Sequence, residues 1–252
     1  MKLFRILAAA SLFFFFFRAA TGGPSPALDK HRLKTTNLEE GDILFIRSHS
    51  ANADAIAEVT KSDFTHCGIV FKDGQIWRVR EGAGMHSKYL DIDQWQDKES
   101  KKGKDVIVQY EPITVCRVTA LATLPKQEKE SKLQKLRDEA KKLPETFYDS
   151  GFAWNNHYTV QGKEDHFSDN PNDPEYVYCS ELVYKAFESA YGIKLGTVHK
   201  INDYPLTEKA KTILNLPGGR HCRGEKKYSE SEDVIAPQDI FKSDQLKEVK
   251  VD

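Results

Sequence analysis

The sequence predicts an α+β protein, and three stretches carry that prediction. Ile43–Arg47 is a compact apolar run that reads as a buried strand. His66–Phe71 and Gln75–Glu81 flank the turn signal Lys72-Asp73-Gly74 and read as a hairpin. Leu182, Val183, Ala186, Phe187, Ala190 and Tyr191 recur at helical spacing, so a helix should open in the Tyr178-Cys179-Ser180-Glu181 stretch. Gly192 is suited to the left-handed stop that ends it.

Composition narrows the function classes. Hydrophobic residues are 39% and charged residues 30%, a balance that supports a real core. At 252 residues the chain suits one large domain, or a domain with decorations. The formal net charge of −1 offers no basic surface, so nucleic acid is not an expected partner.

The N-terminus is a different material. Lys2 and Arg5 precede an apolar run from Ile6 to Phe17, and Ala20-Thr21-Gly22 supplies a small-x-small cleavage site. Residues 1–22 therefore read as a secretory signal peptide, which predicts export to the periplasm or the extracellular space. Arg18 directly after the run leaves an uncleaved anchor as the alternative, although the run is short of the roughly 20 residues that span a bilayer. Residues 23–37, with Pro24 and Pro26, read as a leader, and 38–249 as the folded domain.

The remaining elements follow in order. Asp54–Thr60 suggests a short helix burying Ala55, Ile56 and Val59. Gly82-Ala83-Gly84 breaks the strand pattern, and further strands are expected around Val106–Val108 and Ile113–Cys116. Pro125 opens a helix through Lys142 with Leu133, Leu136, Ala140 and Leu143 as its apolar stripe, and Pro144 ends it. Thr146–Pro174 is aromatic and polar without a clean period, and suits a cleft wall. Ile201–His221 reads as irregular and Glu225–Asp233 as charged surface. Val234–Ile240 closes the domain ahead of a polar tail. No internal repeat is present.

Three residues stand in settings suited to cysteine hydrolysis. Cys179 sits at the mouth of a helix N-terminus, where unpaired backbone N–H groups favour a thiolate and could receive an oxyanion. His66 begins an apolar strand, and alternation puts His66 and Cys67 on opposite faces. Glu81 returns toward the His66 end of the hairpin, within reach of the imidazole. A thiolate, a proton-shuttling imidazole and a group that orients it are what acyl transfer by cysteine requires. Taken one at a time, a buried cysteine, a strand-end histidine and a surface acid are the commoner readings. No metal or cofactor is expected. His49, His157, His166, His199 and His221 share no ligand spacing, and the single pair His221-Cys222 cannot make a four-ligand zinc site. The four cysteines of an exported chain could also form disulfides.

The order His, acid, Cys differs from that of papain, and here the chain resembles the permuted papain-like amidases, the YiiX/YaeF group of the wider NlpC superfamily. The matching residues are Gly41-Asp42-Ile43-Leu44-Phe45, Thr65-His66-Cys67-Gly68-Ile69-Val70 with Glu81, and Tyr148-Asp149. They continue with Tyr178-Cys179-Ser180-Glu181-Leu182-Val183 and Ile235–Ser243. The resemblance implies a small antiparallel, barrel-like sheet packed on the Cys-bearing helix, with Cys179 as nucleophile, His66 as general base and Glu81 as orienting acid. Tyr178, Tyr148 and Trp154 become candidate substrate contacts, with Tyr178 able either to donate a hydrogen bond or to pack. Cys67 departs from the apolar residue usual in the family, and is expected to pack as a small hydrophobe. A Cys67–Cys179 disulfide would silence such an enzyme. The expected substrate is an amide or ester, in cell-wall peptide or another envelope amide, or in a lipid. A lipid acyltransferase or thioesterase and a non-catalytic binding module are the alternatives on the same fold.

Overall fold

Four consecutive apolar residues form the central strand β1 (Ile43–Ile46), and all four are buried because the sheet is covered on both faces. The computed structural model describes residues 33–49, 51–83, 86–99, 101–102, 108–109, 112–142, 157–160, 163–166, 178–214 and 233–251. Helix α1 (Ala51–Thr60) leads from β1 to β2 (His66–Asp73), which turns at Gly74 (φ +59°) into β3 (Ile76–Ala83). Strand β4 (His86–Asp91), helix α2 (Ile92–Glu99) and strand β5 (Thr114–Val118) follow. The chain continues through α3 (Lys126–Lys142), α4 (Cys179–Tyr191), α5 (Glu208–Leu214), α6 (Pro237–Phe241) and β6 (Leu246–Val249).

Six strands make one open sheet in the order β6-β5-β1-β2-β3-β4, with every neighbouring pair antiparallel. The register opposes Phe45 to Cys67 and Ile46 to His66. Alternation then sorts the side chains into two layers. Ile43, Phe45, Cys67, Ile69, Phe71, Cys116 and Val118 pack with α4 and with Leu136 and Ala140 of α3. Leu44, Ile46, Val70, Val79 and Val115 pack on the other side with Leu38, Ile92 and Trp95. Each fully buried aliphatic contributes about 1.5–3 kcal/mol. The architecture is the α+β, papain-like arrangement expected. The sheet stays open, since its edge strands β4 and β6 do not pair with each other.

Helix α4 ends as the sequence predicts: Gly192 adopts φ +69° and donates its N–H to the Glu188 carbonyl at 2.7 Å. Its burial is broader than one stripe, because Ser180, Glu181 and Tyr184 are also buried. Several elements differ from expectation. Helix α1 begins before Asp54. Strand β4 and helix α2 occupy a stretch where only a glycine break was legible. Helix α5 replaces part of the irregular segment, started by Thr207, whose Oγ1 accepts the Ala210 N–H at 3.1 Å. The polar tail forms β6, an edge strand that needs few apolar residues because it is covered incompletely. Of the strand expected at Val106–Val108, Val106 and Ile107 lie outside the described residues and Val108–Gln109 pairs with Lys101–Lys102, while His157–Val160 pairs with Lys163–His166 inside the segment read as a cleft wall.

At the start of β1 a charged network fixes the sheet. The Arg117 guanidinium grips Asp42 with two bonds, Nε to Oδ1 at 2.7 Å and Nη2 to Oδ2 at 2.9 Å. It also pairs with Glu39, which Lys129 contacts in turn. The Glu39 N–H donates to Asp42 Oδ2 at 2.8 Å. The Gly41-Asp42 motif is therefore an anchor of the strand rather than a reactive group.

Candidate active site

His66 opens β2 opposite Ile46, at the end of the sheet far from the Asp42 network. Its Nε2 lies 2.6 Å from Glu81 Oε2, and both side chains are buried. With Glu81 ionised, Nε2 carries the proton and donates it, which leaves Nδ1 to serve the thiol. Gly68 permits this approach of β2 and β3. A Cβ at that position would lie 2.5 Å from Val79 Cγ1 and 2.9 Å from the Arg80 carbonyl oxygen, so any side chain would push the two strands apart.

A residue with no distinguishing mark in the sequence completes the acid. Trp95 of α2 is fully buried, and its Nε1–H donates to the same Glu81 Oε2 at 2.6 Å. Its ring lies along the imidazole, with centroids 5.8 Å apart and planes inclined by 27°. One carboxylate oxygen is thus held by two N–H groups, and the imidazole is confined between its partner and the indole face. The spacing Ile92, Trp95, Gln96 marks a buried helix face. It does not mark the bond to Glu81.

Cys179 is the first residue of α4, and Tyr178 before it is extended (φ −97°, ψ 171°), so the thiol stands where the helix begins. The Cys179 thiol is held well below its ordinary pKa. The largest cause is a hydrogen bond from the Cys67 thiol; the charge and hydrogen bond of His66 and the Cys67 backbone act in the same direction, against burial. Burial pushes the Cys67 thiol well up, and the charges of Cys179 and Glu81 add to this, so Cys67 remains protonated as a donor. The arrangement can hold a thiolate beside an imidazole that is itself oriented by a carboxylate.

Of the sequence-selected residues, Cys179, His66 and Glu81 are brought together here. Tyr178 requires a correction. It is fully buried, and its hydroxyl accepts the Ile235 N–H at 3.1 Å, so it packs and braces the α6 approach instead of facing a substrate. Ser180 does the same from the next position, donating to the Ile235 carbonyl at 2.7 Å. Cys67 is also corrected: it packs on the α4 side as alternation requires, but its thiol touches the nucleophile candidate and is no inert filler. Cys67, Cys116 and Cys179 are free thiols, so the disulfides considered for them are not formed. Tyr148, Trp154, Cys222 and residues 1–22 lie outside the described residues.

Residues 37–250 match the family described as "Permuted papain-like amidase enzyme, YaeF/YiiX, C92 family". The chain belongs to this family. It is similar to the uncharacterized protein YiiX of Escherichia coli (strain K12), with 27% identity over 209 residues, covering 82% of this chain and 84% of that one. It is also similar to the crystal structure of the metalloprotein YiiX from Escherichia coli O157:H7, with a TM-score of 0.59 and 27% identity. That match covers 85% of this chain and 97% of the other. Membership of the C92 family points to a papain-like cysteine hydrolase.

That relative is called a metalloprotein. Among the described residues no three His, Cys, Asp or Glu side chains converge as a metal would need. At the candidate site Glu81 Oε2 already takes two N–H groups and Cys67 keeps its proton.

Proposed function

We propose that the protein is an exported cysteine amidase in which Cys179 forms an acyl-enzyme, His66 is the general base and Glu81 orients His66. One observation supports this above the rest: the Cys179 thiol contacts an imidazole whose other nitrogen is 2.6 Å from a buried carboxylate. The thiolate attacks the amide carbonyl, and backbone N–H groups in the first turn of α4 receive the oxyanion. The imidazolium then protonates the leaving amine, and the neutral imidazole activates water for deacylation. The signal-peptide pattern of residues 1–22, with Lys2, Arg5 and the Ile6–Phe17 run, supports export, and through it an envelope amide such as cell-wall peptide as substrate.

An apolar pocket lined by the residue that follows Cys179 favours a second reading, transfer or hydrolysis of a lipid acyl group. Ser180, adjacent to Cys179, lines a pocket otherwise walled by apolar groups that include Ile56, Val59, Ile201, Leu206 and Pro237. Such a wall suits an alkyl chain better than a charged peptide.

The test is the pH dependence of Cys179 alkylation by iodoacetamide in the full chain and in His66→Ala. Cys179 should label rapidly well below the free-thiol pKa of about 8.5, and the substitution should slow labelling at neutral pH. Labelling no faster than in His66→Ala would remove the nucleophile assignment. With an activated thiol, peptidoglycan fragments against long-chain esters would then separate the two substrate readings.

A further inference from the structure

The mechanism above uses Cys179 and leaves a second buried thiol in contact with it. Cys67 belongs to β2 and Cys179 to α4, both lie in one buried cluster where the helix packs on the strand, and a hydrogen bond joins the two thiols. We propose that Cys67 is a resolving cysteine, which captures Cys179 after oxidation by a peroxide and stores the enzyme as a reducible Cys67–Cys179 disulfide. This inference rests on the reading of Cys179 as a reactive thiolate.

The chemistry balances within the pair. The Cys179 thiolate attacks the peroxide O–O bond, takes one oxygen to become a sulfenic acid, and releases hydroxide or alkoxide. The Cys67 sulfur then attacks the Cys179 sulfur, the S–S bond forms, and the departing hydroxide leaves with the Cys67 proton as water. The two thiols lose two electrons in total, and the peroxide gains them. A thiol reductant reverses the step through a mixed disulfide.

Two structural facts favour this pairing. The bond and the charge of the Cys179 thiolate are what hold the Cys67 proton in place besides burial and the charge of Glu81. Oxidation of Cys179 removes that charge, so Cys67 becomes more acidic when its attack is required. The other described thiol cannot divert Cys67 from Cys179. Cys116 lies on β5 and Cys67 on β2, on opposite sides of β1. Two strand spacings of about 4.8 Å put their backbones beyond the roughly 7 Å that a disulfide can bridge. Burial moreover pushes the Cys116 thiol up to about 12.

The experiment treats the purified full chain with a several-fold molar excess of hydrogen peroxide and maps the cysteines by peptide mass spectrometry. The expected product is one Cys67–Cys179 cross-linked peptide pair that dithiothreitol separates, with iodoacetamide labelling of Cys179 fully restored. In Cys67→Ser and Cys67→Val the same treatment should carry Cys179 on to sulfinic acid, and dithiothreitol should restore none of that labelling. Sulfinic acid at Cys179 of the unsubstituted protein with Cys67 still a thiol overturns the pair, as does a bridge from Cys179 to Cys222. Failure of Cys179 to react with either peroxide or iodoacetamide overturns instead the nucleophile reading beneath it.

Discussion

Asp42 and Glu81 are both fully shielded from solvent, one at the start of β1 and the other beside His66 at its far end. Their partners differ in kind. Asp42 is gripped by a permanently charged guanidinium, which itself serves Glu39. Glu81 is held by an imidazole, which can gain and lose a proton, and by a neutral indole N–H. A buried carboxylate locked to arginine has one stable state and holds the fold. One shared between histidine and tryptophan keeps its negative charge available to whatever proton the histidine is carrying. The same residue class thus serves as an anchor at one end of the sheet and as a chemical component at the other.

Removing the cation from the anchor should give the largest change in stability. Arg117→Met leaves Asp42 buried without its partner and should lower stability by about 3–5 kcal/mol, measured by urea denaturation. Burial already raises the Asp42 pKa despite Arg117, and losing the guanidinium raises it further. The unfolded carboxyl titrates near about 3.9, so the deficit should be full at neutral pH and shrink as pH falls and folded Asp42 takes up a proton. A deficit unchanged down to acidic pH would contradict the assignment of Asp42 as the stranded charge.

At the other end the expected loss is in reactivity. Glu81→Gln keeps the shape but removes the charge that favours the imidazolium, and should slow turnover of an amide substrate by roughly 10²–10⁴-fold with a smaller stability change. Equal effects of Arg117→Met and Glu81→Gln on per-molecule activity would erase the distinction between the two carboxylates. The smallest effect belongs to Trp95→Phe, which retains a ring against His66 and deletes only the N–H. It leaves one bond to a charged group unmade, about 1.5–3 kcal/mol. The sharper readout is the pH profile of Cys179 labelling. Freed from the indole, Glu81 should favour the imidazolium more strongly, and that charge holds Cys179 deprotonated, so labelling should extend to lower pH. A profile identical to that of the unsubstituted protein would reduce Trp95 to packing.

The parts of this site that were readable in the sequence are those set by local rules. The helix stop at Gly192, the turn at Gly74 and the return of Glu81 toward His66 follow from short-range geometry and hydrophobic period. Trp95 reaches Glu81 across a reversal of chain through β4 and α2, and no periodicity encodes which acid an indole will meet. Cys67 was placed on the correct face, since alternation fixes faces. The contact with Cys179 depends on how far α4 advances along β2, which is a matter of tertiary packing. The edge strand β6 was hidden for the opposite reason: half-covered, it carries Lys247 and Glu248 and looks like a tail.

The chain order of the site has a consequence during synthesis. A ribosome releases the strands bearing His66 and Glu81 more than ninety residues before Cys179 emerges, and β6, which completes the sheet, comes later still. In the proposed mechanism, a nascent chain therefore holds the base and the orienting acid before the nucleophile. Cys179 acquires its lowered pKa only when α4 docks on β2 and meets Cys67 and His66. Until then it is an ordinary, mostly protonated thiol. In the proposed mechanism, reactivity and sensitivity to oxidants both begin only when the core closes.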